Sequence, residues 1–387
     1  MIHSLPRTIV YLNRTAEVSG AEMSLLTLLG GLNRRIFRPV VILPGEGPFV
    51  ERLRAIDVEV RIVRLEFIDR RKPLPYVSSV FRLARSLAQL QPALVHSNGY
   101  MCCQYGIPAA VLCSADFVSH VRLILSPRAI RNSLASKARL LIANSQAVAK
   151  ALGTAGVPSR RIEVIHNAVD VAKFRPAPGR GKELRDSVGA TDHTFLLGCI
   201  GRFHESKGQM ELLEALSMLG EAKMQIRCVF FGGTEIDGSS RYLEQLRERA
   251  RALGMSDVVR FFGFRDDIAG VYDAIDLLAL PSREEPFGRV LIEAMAMKKP
   301  VLAVDAGGPT EIVRDGVDGF LVRDNTPGSL RAGVHRALEN RQSLPQMGAR
   351  GRDRVERSFS VEAHVQRHET LYLQRLLRER ALPAHTA

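Results

Sequence analysis

Short runs rich in β-branched residues alternate along this chain with segments whose apolar residues recur at helical spacing. The first half contains six candidate strands, at residues 8–13, 38–43, 59–65, 93–98, 117–122 and 140–145. Between the first two lie Met23, Leu26 and Leu29, each three residues apart, as on one face of a helix. Because parallel strands need a crossover between them, usually a helix, the alternation predicts a parallel α/β sheet.

The same alternation starts again after a pause at residues 169–193, a stretch rich in proline, glycine and charge that is typical of a linker. Candidate strands follow at 194–203, 226–233, 258–264, 277–282, 300–308 and 319–322, with a helix at about 207–219. Two such runs predict an α/β protein with two Rossmann-like domains, 1–175 and 176–360, facing each other across a cleft. Residues 361–387 predict a basic amphipathic helix and tail, expected to pack back on the N-terminal domain.

Charge separates the two halves of the chain. Residues 1–175 contain 24 Lys and Arg against 11 Asp and Glu, whereas residues 176–387 contain 30 of each, so the first half carries the whole net charge of +13. The asymmetry predicts an anionic lipid surface or an anionic substrate as partner, or else a basic surface that only keeps the protein in solution. Nucleic acid is disfavoured, because no helix-turn-helix or zinc module is present and basic residues are not interleaved with aromatic ones.

The five cysteines lie mostly in apolar contexts and have no spacing typical of a zinc site. Buried free thiols indicate a reducing compartment. The first residues lack the charged-then-apolar layout of a signal peptide, and no apolar run reaches the roughly 18 residues of a membrane span. We therefore expect a cytoplasmic protein, with peripheral attachment to the inner membrane face as an open alternative.

Two glycine-containing turns follow candidate strands and open helices, where backbone N–H groups and the helix dipole favour an anion. The first, Ser19–Gly20, is not the GxGxxG of nicotinamide-binding folds, and a turn without a ligand is equally compatible with it. In the second, Gly201 is followed by Arg202 and Lys207. These two cations suit a diphosphate, although solvated loop charges are the alternative. A P-loop is excluded because GxxxxGK[ST] is absent.

A third turn lies within SREEPFGRVLIEAM, residues 282–295, which places two glutamates eight positions apart. That spacing alone is compatible with the acid/base pair of a glycoside hydrolase, or with one loop glutamate and one solvated helix glutamate. Pro286 and Gly288 break the regular structure after a buried strand, so Glu285 is expected on the loop. Glu293 is expected about a turn and a half into the following helix. The two carboxylates are therefore predicted to line different parts of one elongated ligand.

Together these motifs resemble the retaining GT-B glycosyltransferases, in particular family 4. The resemblance covers nearly the whole chain, and its most specific element is the E-x7-E stretch from Glu285 to Glu293. The supporting matches are SGAE (19–22), ANSQAVAKAL (143–152), VIHNAVDVAKF (164–174), IGRFHESKG (200–208) and FFGF (261–264). The resemblance implies an N-terminal domain that binds the acceptor and a C-terminal domain that binds the nucleotide sugar.

The resemblance also implies a role for each matching residue of the C-terminal domain. The implied donor-binding residues are Arg202 and Lys207 for the diphosphate, Glu293 for the ribose hydroxyls, Glu285 for the sugar hydroxyls, the N–H groups of Phe287, Gly288 and Val290 for sugar and phosphate, and Phe264 and Arg265 beside the base. Glu285, Arg202 and Lys207 are also the implied catalytic residues here.

In the N-terminal domain, the resemblance implies that Gly20 approaches the donor phosphate. His120, in FVSHVR, fits the catalytic histidine that contacts the donor sugar, and His96 is a nearby alternative that suits a structural role better. Two positions depart from the family pattern. Ser19 replaces one of two adjacent glycines, and Arg122 stands where an acidic residue often follows the histidine.

The implied reaction moves a sugar from a nucleotide-diphosphate sugar to an acceptor by front-face attack, while Arg202 and Lys207 stabilise the leaving phosphate. No metal or other cofactor is implied, because the chain contains no Asp-x-Asp. The basic N-terminal half suggests a lipid-linked or polysaccharide precursor at the cytoplasmic membrane face as acceptor. A sugar-nucleotide epimerase or phosphorylase of the same fold, or a non-catalytic binding subunit, remains open, as does the choice between uridine and guanosine donors.

Overall fold

The computed structural model describes residues 5–68, 71, 73–177, 179–233, 240–265 and 267–381. The chain forms two compact units. Unit 1 comprises the residues up to Ala168 together with those from Val361 onward, and unit 2 comprises Val169–Ser360. Residues 1–4 and 382–387 of the predicted outer segments, and Pro178 of the predicted linker, lie outside the described residues.

Strands and helices alternate along both units, as the sequence predicts. The strands are β1 (Arg7–Leu12), β2 (Phe37–Leu43), β3 (Glu59–Ile62), β4 (Leu94–Ser97), β5 (Phe117–Val121), β6 (Leu140–Ala143), β7 (Ile162–Val164), β8 (Phe195–Ile200), β9 (Ile226–Phe231), β10 (Val259–Phe262), β11 (Leu277–Leu280), β12 (Val301–Val304) and β13 (Gly319–Val322). The helices are α1 (Gly20–Gly31), α2 (Pro48–Arg54), α3 (Pro73–Leu90), α4 (Cys103–Leu112), α5 (Pro127–Asn132), α6 (Gln146–Thr154), α7 (Lys182–Ser187), α8 (Gln209–Ser217), α9 (Arg241–Ala252), α10 (Ile268–Ala274), α11 (Arg289–Ala296), α12 (Pro309–Ile312), α13 (Pro327–Glu339), α14 (Leu344–Ser358) and α15 (Val361–Ala381).

Each unit is built on one parallel sheet. Among the described residues, the sheet of unit 1 has seven strands in the order β3-β2-β1-β4-β5-β6-β7, and that of unit 2 has six in the order β10-β9-β8-β11-β12-β13. Strands β8 and β11 are buried from end to end and β1 over its last four residues, which explains their apolar runs, because helices cover both faces of a parallel sheet. The predicted parallel α/β architecture is confirmed. The sequence analysis missed the edge strand β7, which has only three residues and an exposed Glu163.

The boundary between the units lies at Ala168 rather than at Arg175 as predicted. Val169 and Phe174 are buried in the core of unit 2. The backbone N–H of Val169 donates to Phe359 at 3.0 Å, and the Arg352 guanidinium donates to the Phe174 carbonyl at 3.0 Å. The predicted linker is polar in composition, yet it contains two buried apolar residues, Val169 and Phe174, and the short helix α7.

The last helix, α15, packs on the sheet of unit 1 through buried aromatic and histidine side chains. The Tyr372 hydroxyl lies 2.6 Å from Nδ1 of His96. The ring of His120 lies 5.9 Å from that of His96 and 5.7 Å from that of His368. The His368 ring lies 4.4 Å from that of His364, one helical turn earlier. Strand alternation turns His96 and His120 to the face that α15 covers, where they pack with His368. Burial disfavours the charged forms of these three residues, the histidine cluster.

Burial, with a smaller contribution from the nearby Arg122 charge, lowers the pKa of His96 to about 3. Burial likewise lowers the pKa values of His120 and His368 well below their usual value. An unfolded histidine has a pKa of about 6.5, so the unfolded chain binds more protons than the folded one below that pH. The stability contributed by the neutral cluster is therefore complete above pH 6.5 and is lost as the pH falls below it.

We expect His120→Leu to reduce this acid sensitivity. Neither ring nitrogen of His120 has a hydrogen-bond partner among the described residues, so leucine sacrifices no such bond. Between pH 7.5 and 5.5 the urea-unfolding free energy of the variant should fall by about 1.4 kcal/mol less than that of the parent chain. The exposed His193, changed to leucine, is the matched control and should leave the pH dependence unaltered. Equal acid losses in the parent and His120→Leu would contradict the prediction.

Candidate functional site in unit 2

The sheet of unit 2 changes direction between β8 and β11. From β8 the chain proceeds outward through β9 and β10, and then returns to place β11 on the other side of β8. In open α/β sheets, ligands bind beyond the carboxyl ends of the strands at this kind of switch point. The turns that follow β8 and β11 carry the predicted site residues Lys207 and Glu285, so the topology places both at the position where a ligand is expected.

Lys207 and Glu285 form an ion pair across this switch point. Nζ of Lys207 donates to Oε2 of Glu285 at 2.7 Å, although 78 positions separate them along the chain. Their side chains are only 27% and 13% exposed, so the pair is less screened by solvent than a surface ion pair. The structure therefore brings together a cation suited to phosphate and a carboxylate suited to sugar hydroxyls.

Gly208 allows the Lys207 turn to approach the neighbouring strand end. Its φ of +71° is left-handed, and a Cβ there would lie 2.1 Å from the carbonyl oxygen of Pro281. One residue later, Gln209 donates through Nε2 to the Arg202 carbonyl at 3.0 Å and holds the turn. The Arg202 side chain itself is exposed, which suits a residue that would meet a diphosphate.

The turn after β12 holds the Glu285 loop by backbone contacts. The N–H of Gly308 donates to the Glu285 carbonyl at 2.8 Å. Cβ atoms built at Gly307 and Gly308 would lie 2.3 Å from the Glu285 carbonyl oxygen and from Cα of Phe287, respectively. Gly288, with a φ of +98°, then precedes α11. The predicted position of Glu285 on a loop is confirmed.

Glu293 lies in α11, as predicted, and both of its carboxylate oxygens accept hydrogen bonds. The hydroxyl of Tyr272 donates to Oε2 at 2.8 Å, and Nη2 of Arg289 donates to Oε1 at 3.2 Å. Burial, followed by the Glu293 charge, raises the pKa of Tyr272 well above its usual value, so its hydroxyl remains a donor. The sequence analysis missed Tyr272, because a tyrosine among the apolar residues of a helix gives no signal of a role at a ligand site.

The remaining predicted donor-binding residues of unit 2 differ in exposure. Phe264 is 75% exposed, and the guanidinium of Arg265 lies 5.8 Å from the ring centroid of Phe231, within cation–π range. The Phe287 side chain is buried in the core, and Val290 is half-buried against the same core. Any contact of Phe287 with a ligand would therefore come from its backbone, as the resemblance implies, and the backbone role of Val290 stays a prediction. The base-binding role of Phe264 and Arg265 stays a prediction.

In unit 1, Gly20 is the first residue of α1, at the carboxyl end of the sheet. Ser19 caps this helix, and its backbone N–H donates to Oε2 of Glu22 at 3.1 Å. The described residues therefore place a helix start at this edge, as the sequence predicts. The predicted contact of Gly20 with a donor phosphate stays a prediction.

The structure places His120 inside unit 1, with no exposed surface, among the histidines beneath α15. This burial argues against the predicted contact with a donor sugar, because a ligand would have to displace the packing around the ring. Two residues later, about 7 Å further along the strand direction, Arg122 lies at the carboxyl edge instead. Its guanidinium donates to Ser24 Oγ at 3.1 Å, Asn98 Oδ1 at 2.9 Å and Asn167 Oδ1 at 2.7 Å. Strand alternation does not separate the two positions, because residues two apart point to the same face; they differ because β5 ends at Val121, so that Arg122 lies beyond the strand.

Two protein families match this chain. The family described as "Glycosyl transferases group 1" matches residues 181–354, and "Glycosyltransferase Family 4" matches residues 18–173. Among solved structures, Anabaena Alr3699/HepE in complex with UDP and glucose superposes with a TM-score of 0.83 and 28% identity, over 94% of this chain and 98% of that one. A glycosyltransferase from Rickettsia africae has a TM-score of 0.85 at 22% identity, over 96% and 99% of the two chains, and supports the fold alone.

Curated relatives are named D-inositol 3-phosphate glycosyltransferase. The protein from Corynebacterium kroppenstedtii is 32% identical over 216 residues, which is 54% of this chain and 48% of the relative. The protein from Nocardiopsis dassonvillei is 31% identical over 284 residues, 67% of this chain and 66% of the relative. The chain thus spans about half the length of the first of these relatives.

We expect Gly208→Ala to destabilise unit 2 strongly, because it adds a clash with the Pro281 carbonyl to the strain of a left-handed alanine. Gly254, with a φ of +65° and no atom within 4 Å of a built Cβ, offers a matched control for strain alone. Gly254→Ala should cost about 1–2 kcal/mol of unfolding free energy, and Gly208→Ala about 1–3 kcal/mol more. Urea unfolding measures both. Equal losses in the two variants would show that the turn can shift away from Pro281.

Proposed function

Since the chain belongs to the group 1 glycosyltransferases of GT-B fold, we propose that it transfers a sugar from a nucleotide-diphosphate sugar to an acceptor, with retention of configuration. The observation that carries the proposal is the Lys207–Glu285 pair at the switch point of the unit 2 sheet. A UDP-sugar is the first donor to test, because Anabaena HepE was crystallised with UDP and glucose. The reaction is proposed to need no metal ion and no other cofactor.

Each polar group of the unit 2 site has one task in this proposal. Arg202 and Lys207 bind the diphosphate, and they stabilise the negative charge that develops on it as the sugar bond breaks. Glu285, whose carboxylate the Lys207 ammonium orients, accepts from the sugar hydroxyls. Glu293 accepts from the ribose hydroxyls. The leaving phosphate oxygen takes up the proton of the acceptor hydroxyl, which attacks from the same face.

The proposed acceptor carries an anionic group. The net charge of +13 within residues 1–175 supports this choice, and so do relatives whose name specifies inositol 3-phosphate. A lipid-linked or polysaccharide precursor at the cytoplasmic membrane face shares the phosphate chemistry and remains the proposed acceptor class. Among the described residues, no helix is long and apolar enough to cross a bilayer.

The surface of α3 supports peripheral attachment to an anionic membrane. Leu74, Val77 and Phe81 recur at helical spacing on its outer face and are 79%, 42% and 61% exposed. The exposed Arg82 and Arg85 follow them directly. An apolar stripe beside basic residues is the pattern of an interfacial helix, which inserts side chains while its cations meet lipid phosphates.

We expect Phe81→Ser to weaken binding to vesicles that contain phosphatidylglycerol by roughly tenfold, the effect of losing one inserted aromatic side chain. Met224→Ser is the matched control, because Met224 is 73% exposed on unit 2. Vesicle co-sedimentation of the full chain at low and high salt measures both variants. Vesicle binding that changes neither with Phe81→Ser nor with salt would refute membrane attachment through α3.

The donor proposal is tested by the thermal unfolding of the full chain with UDP, GDP and their sugars. A ligand present at 100 times its Kd should add about 2.7 kcal/mol of stability. Lys207→Ala should abolish most of the shift and lower sugar transfer, whereas Lys182→Ala, at an exposed position of the same unit, should change neither. A shift that Lys207→Ala retains would refute the diphosphate role. No shift with any nucleotide would favour a binding subunit that uses no nucleotide sugar.

A further inference from the structure

Tyr272 belongs to the donor site by its hydrogen bond and yet lies outside the reach of any ligand. Its side chain has no exposed surface, and its ring contacts Phe174 edge-on at a centroid distance of 6.0 Å. Its hydroxyl donates to Oε2 of Glu293 at 2.8 Å. Whatever Tyr272 does for a ligand must therefore pass through the Glu293 carboxylate.

The Glu293 carboxylate is held from two sides. Tyr272 approaches from α10, and Arg289 approaches from one turn earlier in α11. A glutamate side chain has several freely rotating bonds, and fixing it before the ligand arrives removes that entropic cost from binding. An ionised carboxylate has about four lone-pair sites, so the two bonds leave acceptor capacity for hydroxyl groups.

We propose that Tyr272 is a positioning residue that makes the site selective for ribose over deoxyribose. This inference rests on the proposed function, in which Glu293 accepts from the ribose hydroxyls. The buried hydroxyl fixes the plane of the carboxylate so that its remaining lone pairs meet those hydroxyls. Without the Tyr272 hydroxyl, the Glu293 carboxylate rotates about its side-chain bonds, and its lone pairs no longer point at the 2′-hydroxyl.

The test compares Tyr272→Phe with the parent chain for binding of UDP, GDP and their 2′-deoxy forms by calorimetry. The parent should bind its preferred nucleotide about tenfold or more tightly than the deoxy form, the usual effect of a hydrogen bond to a charged group. The variant should bind the ribonucleotide about fivefold to tenfold more weakly while its affinity for the deoxynucleotide changes less than about twofold. The preference for the ribonucleotide over its deoxy form should thus be lost. A general destabilisation of unit 2 would instead weaken the binding of both.

Tyr242→Phe is the matched control. Tyr242 is also buried in unit 2, and its hydroxyl accepts only a 3.3 Å bond from the Met210 N–H among the contacts described. This variant should keep the selectivity of the parent. If Tyr272→Phe fails to fold, Arg289→Met removes the other hydrogen bond to the Glu293 carboxylate. It should cause the same selective loss of affinity for the ribonucleotide.

The possible results separate the inference from the proposed function. A parent chain that binds neither UDP nor GDP overturns both. A parent that binds one of them without preferring ribose overturns the inference and leaves the donor proposal standing. A Tyr272→Phe chain that keeps the parent's selectivity also overturns the inference. So does one that loses affinity equally for the ribonucleotide and for its 2′-deoxy form. Only a selective loss for the ribonucleotide supports it.

Discussion

Close backbone contact between three turns at the carboxyl edge of the unit 2 sheet is the constraint on which the candidate site depends. The turn after β8 touches the end of β11 at Gly208, and the turn after β12 touches the Glu285 loop at Gly307 and Gly308. At each contact a Cβ atom would overlap backbone atoms of the neighbouring turn. Because the backbones meet directly, Lys207 and Glu285 have a fixed separation, and their ion pair forms without a long, flexible reach.

The two glutamates differ by their partners rather than by their chemistry. Glu285 pairs with a lysine that belongs to a different turn, so this ion pair links the two turns on either side of the switch point. Glu293 is supported by Arg289 of its own helix and by the buried Tyr272 hydroxyl. Each carboxylate thus has its own cation and its own orientation. This separation suits two carboxylates that accept hydrogen bonds from two different parts of one ligand. In a glycoside hydrolase, by contrast, the two carboxyl groups flank the same scissile bond.

Unit 1 is organised by a different interaction, the packing of α15 over buried histidines. The chain returns from unit 2 to lay this helix on β4 and β5, where Tyr372 contacts His96 and His368 contacts His120. The two strand histidines are therefore part of the core. At the carboxyl edge of this sheet lie instead Arg122 and Asn98, one residue beyond the ends of β5 and β4, and Asn167, which follows β7.

The amino-acid sequence by itself determined the two parallel α/β units, the turns that carry Lys207 and Glu285 and the helix that carries Glu293, because periodicity and glycine placement are local properties. It also indicated the basic character of the first half. Only the tertiary structure decided which distant side chains meet: Lys207 with Glu285 across 78 positions, and Tyr272 with Glu293. It also decided that α15 buries His120, because burial depends on which helix covers a strand, and no local pattern encodes that choice.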